Sequence, residues 1–231
     1  MGIPHENITK DKRDLPAYSV GEACRYLCIP PRTLKSWLVG RSYPVPTRRR
    51  DFQPLITPAG RDAPVQLSFN NLIEAHVLRA LRTRHGISIQ AAREAMAVAE
   101  KEYAMPHLLL SKKIMTGAGE LFLERYGMLI HLDNSGQIAL RRLLHDHLKR
   151  IEWDNRLFPS RLYPILRNSE SRTVVIDARI AFGRPVIERR GIGTAIIVER
   201  INAGESVEDV ALDYDLQPYE VEDAILYEQA A

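Results

Sequence analysis

Residues 18–38, YSVGEACRYLCIPPRTLKSWL, hold two helical periods separated by a turn. Val20, Ala23, Cys24 and Leu27 recur at three- and four-residue spacing behind Ser19, whose hydroxyl can cap the first turn of a helix. Ile29-Pro30-Pro31 breaks the period. The second proline suits the first position of a new helix, where its missing N–H would have found no partner anyway. Leu34, Trp37 and Leu38 then point inward until Gly40. Two short helices meeting at such a corner form a helix-turn-helix.

The outward positions of the second helix are Arg32, Thr33, Lys35 and Ser36. A recognition helix lies in a major groove with its first turns toward base edges, where cations reach guanine and hydroxyls reach bases or phosphate. Residues 41–67, RSYPVPTRRRDFQPLITPAGRDAPVQL, hold five prolines and no helical period. They fit a β-hairpin or wing that carries Arg48, Arg49 and Arg50 as phosphate contacts.

Charge is unevenly spread along the 231 residues, whose formal net charge is +3. Residues 1–98 hold 15 Lys/Arg and 8 Asp/Glu (+7), residues 99–170 hold 11 and 9 (+2), and residues 171–231 hold 6 and 12 (−6). The N-terminal part suits an anionic partner and the C-terminal part does not. The chain is 45% apolar and 26% charged, an ordinary soluble composition. No run approaches the roughly 18 apolar residues of a membrane span, and the first 16 residues lack the apolar core of a signal peptide, so a cytoplasmic protein is expected. Cys24 and Cys28 are the only cysteines, which excludes a disulfide framework and a thiolate zinc site; two small side chains facing a core explain them.

Residues 1–16 read as a polar arm. Beyond the wing, helices are expected from Ser68 to Gly86, with Leu72, Ala75, Leu78 and Leu81 inward, and from Ser88 to Pro106, with Ala92, Met96, Ala99 and Tyr103 on one face. His107–Ser111, Glu120–Arg125 and Met128–Leu132 read as short strands, the last two joined by a tight turn at Gly127. Asp133-Asn134-Ser135-Gly136 reads as a second turn, leading into a helix whose seam is Leu140, Leu143, Leu144, Leu148 and Ile151. Leu162–Leu166, Thr173–Ile176 and Pro185–Ile187 are further strand candidates, with a linker or loop at 168–171. Three helices follow at 194–203, 206–214 and 218–229, the first capped by Thr194.

The last two of these helices repeat the first corner at an offset of 187. Val20 meets Val207, Cys24 meets Ala211, Pro31 meets Pro218, Leu34 meets Val221 and Leu38 meets Ile225, so the inward positions agree in kind. The outward ones do not: Arg32, Thr33, Lys35 and Ser36 are replaced by Tyr219, Glu220, Glu222 and Asp223. Three carboxylates there would repel a phosphate backbone. The acidic corner is therefore expected to face solvent or a protein partner, through Tyr219, Glu222 and Asp223.

With its arginine-bearing wing and the following SFNNLIEAHVLRALRTRHGISIQAAREAM, the opening stretch resembles the DNA-binding domain of MerR-type regulators over residues 17–104. The tail is similar to a small antitoxin-associated family catalogued as a domain of unknown function. Gly183, Pro185, Val186, Ile187, Gly193, Thr194, Ala203, Gly204, Glu205 and Ser206 carry that likeness. The combination resembles VapB-type antitoxins of toxin-antitoxin pairs. That resemblance implies a non-enzymatic protein that binds its own operator DNA, silences a VapC-type PIN-domain ribonuclease toxin and needs no cofactor. Many such antitoxins end in a tail whose arginine enters the toxin's metal site, whereas this chain ends YEQAA. Arg189 and Arg190, in the ERRGIGT loop, are the candidates for that role in its last segment.

No catalytic constellation competes. Gly191-Ile192-Gly193 lacks the third glycine of a dinucleotide fingerprint, since Ile196 stands there. His145 and His147 lie two apart on a helix and point to nearly opposite faces, which cannot readily share a metal. The expected fold is α+β and mainly helical: an arm (1–16), a MerR-like winged helix-turn-helix (17–104), a short-strand connector (105–170) and an acidic three-helix domain (171–231). A homodimer is expected because one recognition helix reads few bases. The alternative function is a MerR-like regulator sensing a ligand, weakened by the lack of a long dimer helix after residue 104.

Overall fold

The computed structural model describes residues 11–45, 48–52, 54–60, 64–80, 89–104, 107–115, 117–129, 134–164 and 171–230. Strand β1 (Tyr18–Ser19) leads directly into α1 (Val20–Leu27). Ser19 Oγ accepts from Glu22 N at 3.2 Å while Glu22 Oε2 accepts from Ser19 N at 2.8 Å, a reciprocal cap that satisfies two otherwise unpaired amides. Cys28 closes α1 in the left-handed conformation, φ 48°. Helix α2 (Pro31–Val39) then opens on Pro31, as its sequence predicts.

An antiparallel hairpin follows, β2 (Arg41–Val45) against β3 (Arg48–Phe52), in the register Tyr43↔Arg50 and Val45↔Arg48. The returning chain fastens to α2, where Leu55 N and Ile56 N both donate to Trp37 O, at 2.7 and 3.0 Å. Strand β4 (Gln66–Leu67) pairs with β1, so the corner is closed by a two-stranded ladder. Helix α3 (Phe69–Ala80) is buried along most of its length, and α4 (Ile89–Glu102) lays Ala92, Ala95 and Ala99 into the core. Leu81 and Gly86, placed on α3 by the sequence, lie outside the described residues. Tyr103 falls beyond the end of α4 and is 46% exposed, so it does not extend that helix's inner face.

The middle of the chain departs from its sequence reading. Leu108–Leu110 form a 3-10 turn with all three leucines buried, and α5 (Gly117–Leu129) takes the place of the strand expected at Glu120–Arg125 and of the start of the one expected at Met128–Leu132, whose residues 130–132 lie outside the described residues. Phe122, Leu123 and Tyr126 share one buried helical face, a spacing of one and three that a strand would have split between two faces. Gly127 is a close-packing residue, not a turn: a Cβ there would stand 3.1 Å from Gln137 Cγ of α6 (Asn134–Leu148). That helix begins where a turn was expected at 134–136. It ends before Ile151, which opens β5 (Ile151–Trp153) against β6 (Pro159–Leu162). His76 of α3 and His147 of α6 join the two helices in the core, Nε2 of His76 donating to His147 O at 3.0 Å. Burial holds both rings neutral, lowering His147 to about 4.

Strands β7 (Val174–Val175), β8 (Val186–Ile187) and β9 (Ile192–Gly193) form an antiparallel sheet. Helices α7 (Thr194–Asn202), α8 (Val207–Asp213) and α9 (Pro218–Ala230) follow, close to their expected bounds. Thr194 is the first helical residue rather than the cap, which is Gly193, and its buried hydroxyl donates to Glu228 of α9. Most of the loop at 168–171 lies outside the described residues. The architecture is thus mainly helical with small sheets and an N-terminal helix-turn-helix. Buried side chains from Tyr18 to Tyr227 make one continuous cluster. Among the described residues no helix is long and apolar enough to cross a membrane.

Candidate nucleic-acid interface

Helix α2 is held by its inner face. Leu34, Trp37 and Leu38 are at most 3% exposed, and this fixes which side of the helix meets solvent. Arg32 and Lys35 lie on the exposed side and Thr33 is half-buried. Ser36 is turned inward, 6% exposed, with its hydroxyl donating to Thr33 O at 2.7 Å. The outward surface of this helix thus carries two cations, Arg32 and Lys35, between the exposed Pro31 and Val39 at its ends. Arg48, Arg49 and Arg50 all fall on β3, beside that helix in the chain and tied back to it through Trp37 O.

The second corner has the same frame and a different surface. Ser206 caps α8 by accepting from Asp209 N at 3.1 Å, and Val210, Ala211, Leu216 and Val221 are buried, as the offset comparison requires. Of the aligned outward positions, Tyr219 and Glu222 are exposed. Glu220 is not: it is 3% exposed and paired with Arg189, Nη2 to Oε2 at 3.0 Å. Burial raises this carboxyl, but the Arg189 guanidinium and Gln217 N–H outweigh burial and hold it below the ordinary range. Asp223 is half-buried and accepts from the Ser171 and Thr173 hydroxyls, each at 2.6 Å. Arg190 pairs with Asp215, whose main-chain carbonyl accepts from both arginines. The two loop arginines are therefore engaged with the turn between α8 and α9, an engagement no spacing rule exposes because Arg189 and Glu220 are 31 residues apart.

The two corners touch. Tyr18 Oη donates to Gly183 O at 3.0 Å, Tyr227 Oη to Tyr26 O at 3.3 Å and Cys28 Sγ to Ala230 O at 3.2 Å. Arg184 bridges to Glu22 and reaches Tyr26 Oη at 3.1 Å. Helix α1 is thus clamped by the C-terminal segment while the cations of α2 stay exposed. A further anchor is Arg150, 9% exposed, which donates to Tyr163 O, Pro164 O and Ser171 O at 3.0, 2.8 and 2.7 Å. No sequence pattern marks it, because the apolar spacing places this arginine on a helix running through Ile151 rather than at the helix end before β5.

Basic α2, its hairpin and the closing ladder define a helix-turn-helix protein, and the family models agree. Residues 16–96 match a family described as "Putative DNA-binding HTH domain", and residues 174–227 match one described as "Protein of unknown function (DUF433)". A curated relative, "Putative antitoxin VapB45" of Mycobacterium tuberculosis (strain ATCC 25618 / H37Rv), is 30% identical over 229 residues, which cover 92% of this chain and 93% of that protein. At that identity over that span, the chain belongs to the VapB45 family. The crystal structure of Rv2018 from Mycobacterium tuberculosis superposes with a TM-score of 0.68 at 26% identity, covering 91% of this chain and 98% of that one.

Proposed function

We propose that this protein is an antitoxin that binds DNA through its N-terminal helix-turn-helix and neutralises a VapC-type PIN-domain toxin encoded beside it. The observation that carries the DNA half is the contrast between two corners of one frame, Arg32 and Lys35 exposed on α2 against Tyr219 and Glu222 exposed on α9. Cations at a recognition helix gain from counterion release, whereas carboxylates at the same place oppose it. In this reading the hairpin β2–β3 is a MerR-like wing with Arg48, Arg49 and Arg50 on the phosphates, Thr33 and Ser36 support the recognition helix, and residues 17–104 form the reading domain. The family relative's name supports the antitoxin half.

In the same reading the chain represses its own operon as a homodimer, because a two-fold pair supplies the second half-site. Residues 105–170 connect, and residues 171–231 form the three-helix partner domain. Tyr219, Glu222 and Asp223, with the loop of Arg189 and Arg190, would face the toxin. Co-expression with the adjacent open reading frame tests this. Copurification together with relief of growth arrest is the expected result, and growth arrest that persists despite full expression of this chain rejects the antitoxin role.

A further inference from the structure

A cavity of about 570 Å³ opens beside α3 and α4, away from both corners. Its apolar wall comes from Leu55, Pro58, Met96, Leu109 and Leu110. Its polar wall carries three carboxylates, Asp14, Glu74 and Glu100, together with Asn70, Arg93 and His107. Each carboxylate has one oxygen engaged: Asp14 Oδ1 accepts from Asn70 Nδ2 at 2.7 Å, Glu74 Oε2 from Asn71 Nδ2 at 3.0 Å and Glu100 Oε1 from Leu108 N at 3.0 Å. The other oxygen of each takes no hydrogen bond, and no basic side chain forms an ion pair with any of them, among the described residues. Asn70 Oδ1, in the same wall, is buried and has no hydrogen-bond partner among the described residues. Glu74 is half-buried, and burial together with the neighbouring Glu100 and Asp14 carboxylates pushes it up to about 7.

This wall is therefore an excess of acceptors facing a hydrocarbon surface. Three carboxylates against the Arg93 guanidinium leave a charge of −2 when all are ionised. A bare divalent ion does not match: the cavity is many times an ion's volume, half its lining is apolar, and among the described residues no group of acidic and histidine side chains is close enough to chelate one. An alkyl chain with an ammonium group at each end does match, since each ammonium brings three donors and the methylenes cover the leucine and methionine wall. We propose that this cavity binds an aliphatic diamine or polyamine, with Glu74 and Glu100 as ammonium acceptors. No residue of α2 or of the α8–α9 face lines the cavity, and the proposal does not depend on the function proposed above.

Calorimetric titration of the full chain with 1,4-diaminobutane and with spermidine tests the proposal, with 1,4-butanediol and glutarate as neutral and anionic controls of similar length. Saturable one-to-one binding of the amines alone is expected. Glu74→Gln and Glu100→Gln should each weaken it about tenfold, the cost of one charge-assisted contact. Ala97→Phe, at the exposed rim of the cavity on α4, should block entry without changing charge. Absence of saturable heat overturns the proposal. So does amine binding that survives both Glu74→Gln and Ala97→Phe, because the amines would then be sitting elsewhere, such as on the acidic face of α8 and α9.

Discussion

Gly183 accepts the hydrogen bond of the Tyr18 phenol at 3.0 Å, and a Cβ on Gly183 would overlap that same phenolic oxygen. Gly183 also has φ +77° and follows two non-glycine residues in the left-handed region, Ala181 at 47° and Phe182 at 55°. Gly183→Ala therefore adds backbone strain to a clash at the seam between α1 and the C-terminal segment. It should cost about 2–4 kcal/mol in urea unfolding. Tyr18→Phe should cost about 1 kcal/mol by itself. The double variant should cost less than the sum, since the oxygen that a Cβ strikes is then gone. Strict additivity would mean that the two residues do not meet.

Binding to promoter DNA should collapse in the Arg32→Glu/Lys35→Glu double variant and survive Glu222→Lys. Lys35→Ala alone should weaken binding to all sequences alike and reduce the slope of log affinity against log salt by about one, the signature of a single phosphate contact. Fluorescence anisotropy across a salt series measures both. An unchanged slope would remove Lys35 from the interface.

Legibility followed distance along the chain. Ser19 as a helix cap, and Pro31 at a helix start, are local devices, and the structure realises both where the sequence puts them. The α8–α9 corner was legible for the same reason, through apolar spacing alone. Residues 120–129 are helical against expectation because glycine and short apolar runs signal turns and strands in isolation, whereas Gly127 answers to Gln137 on another helix. Glu220 was read as an outward acid because its neutralising partner, Arg189, comes from a different element. The carboxylate wall of the cavity gave no sequence signal, as Asp14, Glu74 and Glu100 are brought together only by folding.

Arg189→Ala leaves the Glu220 carboxylate, 4% exposed at its side chain, without its cation. A loss of stability is expected at neutral pH, because a buried carboxylate is left without its charged donor. Because Glu220 is held below its ordinary value, its contribution is present above the unfolded carboxylate range and is lost as pH falls through the lowered folded value. The destabilisation should therefore shrink in acid, and Glu220→Gln should largely cancel it. A loss that is equal at pH 3 and pH 7 would assign Arg189 a purely packing role.

Glu74 titrates in the opposite sense. Its folded value of about 7 lies above the ordinary glutamate value of 4.5, so the fold favours the protonated form. That contribution is fully present below the unfolded value and is lost as pH rises toward 7. Glu74→Gln should raise the melting temperature at pH 8 and leave it nearly unchanged at pH 4, with a gain of at most about 3 kcal/mol. Thermal melts of the two proteins from pH 4 to pH 8 should diverge between those limits.

On α9, Tyr219, Glu222 and Leu226 are spaced by three and four and lie on one solvent-facing stripe, with Tyr219 58% and Leu226 54% exposed. Leu212 on α8 is 80% exposed, and acids flank it at Glu208, Asp209 and Asp213. Large apolar side chains left in water on an acidic surface fit a partner with a basic rim around an apolar centre. Tyr219→Ala/Leu226→Ala removes the apolar anchors without altering charge, and it touches neither α2 nor the buried face of α9. The variant should lose copurification with the toxin by about tenfold or more while promoter affinity stays within about twofold, since anchors of this type carry most of an interface's energy. Retained toxin binding would move the interface off this stripe, and lost DNA binding alongside it would make the stripe a contact between two copies of the chain.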